Sequence, residues 1–251
     1  MDINFERALT FVKNDPAWLE KLMMGAGLAI LGLLLYAVPV LLGLTQNPLI
    51  IVPTLGVTLF ISFFIYMVIT GYTYKTGHLR AHDSEYILPA WNNLFGLFKI
   101  GMKALLGHIL FLLPIILMFW LMLFLLTMIF AVHEHTIFSI FLVSIEVMAL
   151  LALIVLETIL GIIYYLMMSI FVRDMRITSF IDFKSAWNLL KENAVNYIVF
   201  LLLLIVLSIM VQVVTMVLCS TILGIIVLPL LFFYSGLVTM DLAAQFVNSE
   251  K

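Results

Sequence analysis

The chain contains six predominantly apolar stretches, each longer than twenty residues: Leu22–Leu44, Leu49–Tyr74, Ala104–Ala131, Ile137–Val172, Val195–Leu218 and Thr221–Val247. A helix needs about 20 such residues to cross roughly 30 Å of hydrocarbon, where its backbone polar groups must bond within the segment. The stretches therefore predict an all-α integral membrane protein with six transmembrane helices in one domain. Composition agrees. The chain is 65% apolar and 10% charged, whereas soluble domains run at roughly 45–50% and about 25%. A soluble enzyme, a disordered chain and a disulfide-rich module are excluded, and the single cysteine, Cys219, permits no internal disulfide.

The fourth stretch has 36 residues, or about 54 Å of helix, and is expected to tilt or to project beyond the bilayer. Pro53, Pro114 and Pro229 fall inside spans, where neighbouring helices can satisfy the freed backbone groups. Asp2 and Glu6 lie in a polar opening segment unlike a signal peptide, so the first span is expected to be retained.

Charge placement orients the spans. Arg7, Lys13 and Lys21 precede the first; Lys75, Arg80, Lys99 and Lys103 separate the second from the third. Arg173, Arg176, Lys184 and Lys191 separate the fourth from the fifth, and Lys251 ends the chain. In a six-span layout all 12 basic residues fall on one side. The other side has connections near Thr45–Pro48, Val132–Thr136 and Cys219–Ser220, without Lys or Arg. The positive-inside rule then predicts that both termini are cytoplasmic.

Each basic segment also carries a short amphipathic pattern, over about 4–14, 89–100 and 180–192. Phe5, Ala8, Leu9 and Val12 follow helical spacing; so do Trp91, Leu94, Phe95 and Phe98, and again Phe183, Ala186, Trp187 and Leu190. Lys13, Lys99 and Lys191 occupy matching positions, 86 and 92 residues apart. The pattern predicts three repeats of an interfacial helix followed by a transmembrane hairpin. Helices with aromatics on one face and lysines on the other suit an anionic inner leaflet. Lys13, Trp91, Lys99, Trp187 and Lys191 are thus candidate lipid-binding residues. Asp15-Pro16 reads as the N-cap and first turn of the helix entering span one, Pro89 opens the second amphipathic helix, and Ser179 or Asp182 can cap the third. Gly101 can bend the chain from the interface into span three.

The order of features from Gly71-Tyr72 to Leu106 resembles an uncharacterised prokaryotic membrane family, domain of unknown function 4013. An aromatic end to span two is followed by a polar linker (Thr76–Glu85), then Leu88-Pro89-Ala90-Trp91-Asn92-Asn93, Leu94-Phe95 and Gly101-Met102-Lys103-Ala104. Asp15-Pro16-Ala17-Trp18 is similar too. The resemblance implies a multi-pass protein of a prokaryotic cell membrane. It carries no reaction and no catalytic residues.

Glu146 and Glu157 lie in the fourth span. Eleven residues are about 1100° of helix, so both project from one face, ~16 Å apart. Glu157 is expected near mid-bilayer, where an ionisable group is costly and points to function. It is a candidate proton or cation relay, or else a carboxyl packed against Tyr164, Gln212 or Thr215. His78 and His82 have metal-ligand spacing but no further ligands nearby, His133-Glu134-His135 forms the middle outer turn, and His108 is a lone histidine near the inner end of span three. For each, an ordinary hydrogen-bonded histidine outweighs a metal or haem ligand, so no cofactor is expected. Gly25, Ala29 and Gly32 form a small-residue stripe suited to close packing.

No nucleophile–base pair, phosphate loop or metalloprotease motif occurs, so no enzyme is expected. The leading expectation is an accessory or scaffold subunit binding lipids and membrane-protein partners, or a second copy, through its inner helices. The alternative is a permease subunit of an exporter driven by a separate ATPase. Nucleic-acid binding has no support.

Overall fold

The computed structural model describes residues 3–43, 48–83, 85, 88–131 and 136–248. Its helices are α1 (Phe5–Thr10), α2 (Trp18–Gly43), α3 (Pro48–His82), α4 (Leu94–Ala131), α5 (Thr136–Asp174), α6 (Phe183–Glu192), α7 (Ala194–Cys219) and α8 (Ile222–Asn248). Short 3₁₀ turns cover Phe11–Asn14 and Ile177–Phe180, and no strand occurs among the described residues. Six of the helices, α2–α5, α7 and α8, are long and apolar enough to cross a membrane. The chain is a multi-pass membrane protein.

Helix boundaries differ from the sequence expectation where packing extends a helix into polar sequence. The segment Thr76–Glu85, read as a solvated linker, is helical as far as His82. The interfacial helix expected over 89–100 is not a separate element. Residues 88–93 are non-helical, and α4 runs unbroken from Leu94 through Gly101 to Ala131. Gly101 makes no bend there; its lack of a side chain lets α4 lie directly against α3. By contrast α6 is separate. Asp182 caps it by accepting from the Ser185 amide, and Asn193 divides it from α7. The end of α5 is set by Met175, whose φ of 53° turns the chain left-handed into the following 3₁₀ turn.

With 35, 38 and 39 residues, α3, α4 and α5 are about 52–58 Å long and overreach a bilayer. The closely packed core gathers at the end of the bundle that carries both termini. There Tyr72, Leu97, Ala104, Met167, Phe171, Phe180, Phe200, Leu237 and Phe246 are almost wholly enclosed. Toward the other end large side chains such as Leu117, Trp120, Met148, Ile154, Val213 and Met216 face outward. Lipid is as apolar as leucine, so it covers these side chains at no hydrophobic cost and tight packing must come from small residues and hydrogen bonds. Gly25 is such a residue: it lies against the Phe233 ring. Gly32 is another, its carbonyl accepting from Ser62 at 3.2 Å.

Candidate functional site

The end of the bundle that carries the termini is organised by two polar clamps that hold amphipathic segments onto the long helices. In the first, Asp15 follows the 3₁₀ turn after α1. One oxygen accepts from the Ala17 amide at 2.8 Å; the other receives the Lys21 ammonium at 2.6 Å and the Leu88 amide at 3.1 Å. Lys21 also donates to the Leu88 carbonyl at 2.7 Å, and the Trp91 indole donates to the Lys21 carbonyl at 3.2 Å. Tyr72 donates to the Pro89 carbonyl and stacks on Trp91, with ring centroids 3.9 Å apart. The two similar motifs, Asp15-Pro16-Ala17-Trp18 and Leu88-Pro89-Ala90-Trp91, therefore meet. Burial works against the charged form of Asp15, yet Lys21 and the two amides hold its carboxyl below the ordinary value of 3.8. Trp91, expected on the lipid face, is half-buried against Tyr72 and Phe233.

The second clamp pairs Arg80 of α3 with Asp241 of α8 at 2.5 Å, both buried. Asp241 also accepts from Gln245 at 2.7 Å, and Gln245 bonds the backbone amide and carbonyl of Asn4. The Arg80 guanidinium lies 5.1 Å from the centroid of the Phe11 ring. Tyr234 donates to the Leu9 carbonyl. The apolar stripe of α1 and the 3₁₀ turn after it consequently faces protein, with Ala8, Phe11 and Val12 enclosed. Sequence reasoning missed this pair. The available signal was Asp241, an acid inside the sixth apolar stretch.

The outward faces are different. Phe95 and Trp187 are 61% and 57% exposed. Lys99 lies 4.8 Å from the Phe95 ring centroid and Lys191 lies 5.3 Å from that of Trp187. Both pairs have i, i+4 spacing, so each presents an aromatic plate with an ammonium over it. Lys13 is exposed in the 3₁₀ turn after α1. Next to Trp187, Ser185 holds the Asp182 carboxyl below its usual range through its hydroxyl and amide.

Glu157 lies apart from these clamps, in a groove between α5 and α7, and Glu146 is half-buried further along α5. Of the partners expected for Glu157, Tyr164 is engaged elsewhere, donating to His108 Nε2. Gln212 is exposed, and the Thr215 hydroxyl is enclosed without a hydrogen-bond partner. His108 donates through Nδ1 to the Ala104 carbonyl at 2.6 Å, which leaves Nε2 as an acceptor for Tyr164 and fixes the tautomer. His78 and His82 stand on the last turns of α3 with rings 4.4 Å apart, each bonded through Nδ1 to a carbonyl, those of Val172 and His78. Among the described residues no three His, Cys, Asp or Glu side chains group as metal ligands. His133-Glu134-His135 lies outside the described residues.

No curated protein and no solved structure matches the chain. A family model matches residues 54–220, from the first half of α3 through the end of α7, and so takes in Gly71, the Trp91 turn and the α5–α7 groove. The chain belongs to the family described as Protein of unknown function (DUF4013).

Proposed function

We propose that this chain is a non-enzymatic membrane module of a prokaryotic cell membrane. Its basic, terminus-bearing end faces the cytoplasm and holds anionic lipid headgroups and protein partners. The observation that supports the reading is the pair of exposed plates, Phe95 with Lys99 and Trp187 with Lys191. An outward aromatic ring has an apolar body suited to the headgroup boundary, and each nearby lysine adds about 1 kcal/mol toward an anionic surface. The inner faces of α1 and α6 rest on the protein through Ala8, Ala186 and Leu189, so the outward lysines are held at fixed positions on a rigid support.

Native mass spectrometry of the protein released from mixed-lipid nanodiscs tests this. Wild type should retain anionic lipid in preference to zwitterionic lipid. Replacing Lys13, Lys99 and Lys191 together by glutamine should remove the preference and leave the melting temperature unchanged. Equal retention in both proteins sinks the lipid reading.

A permease subunit driven by a separate ATPase is the second reading. The mid-helix groove containing Glu157 favours it, because intramembrane carboxyls mark substrate paths. Flux that depends on a co-expressed ATPase would establish it.

A further inference from the structure

The groove between α5 and α7 has a volume of about 480 Å³ and is open along its side. Glu157, Thr158, Gly161 and Tyr165 line it from α5, with Leu204 and Ser208 on α7. Its depth follows from helix count. Ser208 is the fifteenth of the 26 residues of α7, and Glu157 is the twenty-second of the 39 residues of α5. An α7 about 39 Å long just exceeds the hydrocarbon thickness, so Glu157 and Ser208 stand near the middle of the apolar slab.

A carboxyl at that depth is expensive unless it meets a cation or hydrogen-bond donors. Among the described residues, ion pairs join Lys21 to Asp15, Arg80 to Asp241 and Arg173 to Asp174, and none involves Glu157. The Thr158 hydroxyl is directed to the Ile154 carbonyl at 2.8 Å. The rest of the wall is largely apolar. Gly161 enlarges the space, since a methyl added there would meet nothing within 4 Å.

We propose that this groove binds a lipophilic ammonium ion drawn from the bilayer. The N–H groups bond the Glu157 carboxylate and the Ser208 hydroxyl, and the hydrocarbon body lies along Gly161, Tyr165 and Leu204. Charge complementarity selects the cation. The apolar wall selects a greasy body over a hydrated metal ion, which would have to shed water for one carboxyl and a hydroxyl. The volume is within the range of roughly 300–1,000 Å³ for small-molecule sites. Such amphiphiles concentrate in membranes, so a lateral opening is the appropriate entrance. The site concerns binding alone and is independent of the lysine-dependent lipid contacts.

The test uses the full chain in nanodiscs with rhodamine 6G, a lipophilic cation carrying N–H donors, followed by fluorescence polarisation. Wild type should bind saturably, with displacement by dodecylammonium and not by neutral dodecanol. Glu157→Gln removes the charge at constant size and should weaken binding about tenfold or more. Gly161→Leu fills the groove from open space and should weaken it similarly, with melting temperatures of both variants close to wild type. The triple lysine variant should bind the dye as wild type does, which separates this site from the lipid reading. Equal affinity in wild type and Glu157→Gln overturns the proposal, as does binding no greater than to empty discs. A dimer that Gly161→Leu dissociates also overturns it, assigning the groove to a second copy of the chain.

Discussion

Gly71 and Gly101 lie against one another where α3 crosses α4. A methyl on Gly71 would stand 3.0 Å from the Gly101 amide nitrogen and would overlap the Leu97 carbonyl; one on Gly101 would overlap the Met67 carbonyl. Neither obstacle is a flexible side chain that can swing away. The two backbones touch, and Tyr72 and Leu97 are enclosed beside them.

Gly71→Ala and Gly101→Ala should each force the helices apart and cost about 1–3 kcal/mol or more, the range for overpacking a filled site. Gly27→Ala and Gly56→Ala supply the control, because a methyl at either meets nothing within 4 Å. Thermal melting in detergent should place the first two well below wild type and the second two near it. Equal melting of all four would mean that the crossing is not tight.

The ion pair of Arg80 and Asp241 should be among the most sensitive positions in the chain, since removing one partner strands a buried charge. Asp241→Leu and Arg80→Met are each expected to cost about 3–5 kcal/mol, whereas the double change Arg80→Met with Asp241→Leu should recover a large part of that loss. A double-mutant cycle of melting temperatures measures it. Additive effects would show that the two charges do not depend on each other.

How much of this was legible depends on what each feature rests on. Apolar length alone marked the six long helices, because a helix of about 20 apolar residues satisfies its own backbone in lipid. Helix ends were less visible: Arg80 and His82 are polar, yet they stay helical, with Arg80 held by Asp241 and Asn248. Periodicity revealed the stripe of Phe5, Ala8, Leu9 and Val12 but not what covers it, and protein covers it through Asn4 and Gln245. Glu157 stood out by its chemistry. Its surroundings did not, because Ser208 lies 51 positions away and the groove exists only once α5 and α7 are neighbours.

Acid should loosen the N-terminal clamp. The folded Asp15 carboxyl is held below its ordinary value of 3.8, so its contribution to stability is fully present above that value. It is lost as pH falls through the lower, folded-state value. Trp18 and Trp91 flank the clamp, so tryptophan fluorescence titrated downward from neutral pH to well below 3.8 reports it. Wild type should show a transition at the acidic end of that window, with new protease cleavage before α2. Asp15→Asn should lack the transition and start from the loosened state. A transition of equal size in Asp15→Asn would assign it to another group.

The positions of the basic residues make a sharp prediction about sidedness. Arg80, Lys99, Lys103, Arg173, Arg176, Lys184 and Lys191 all lie on the same end of the helices as α1 and the end of α8, and Asn4 bonds Gln245 there. Cys219 is exposed at the opposite end, where α7 turns into α8. With the positive-inside rule acting, native Cys219 should react with a membrane-impermeant maleimide added to intact cells. In a Cys219→Ser background, single cysteines at Asn47 and Glu134 should label in the same way. Cysteines at Asp83 and Ser249 should label only after permeabilisation. The positions test different connections, so a single inverted hairpin would appear as one discordant site rather than a global reversal. Outside labelling of Asp83 together with protection of Cys219 would reverse the whole topology, and the lysines on α4 and α6 could not then meet an inner leaflet.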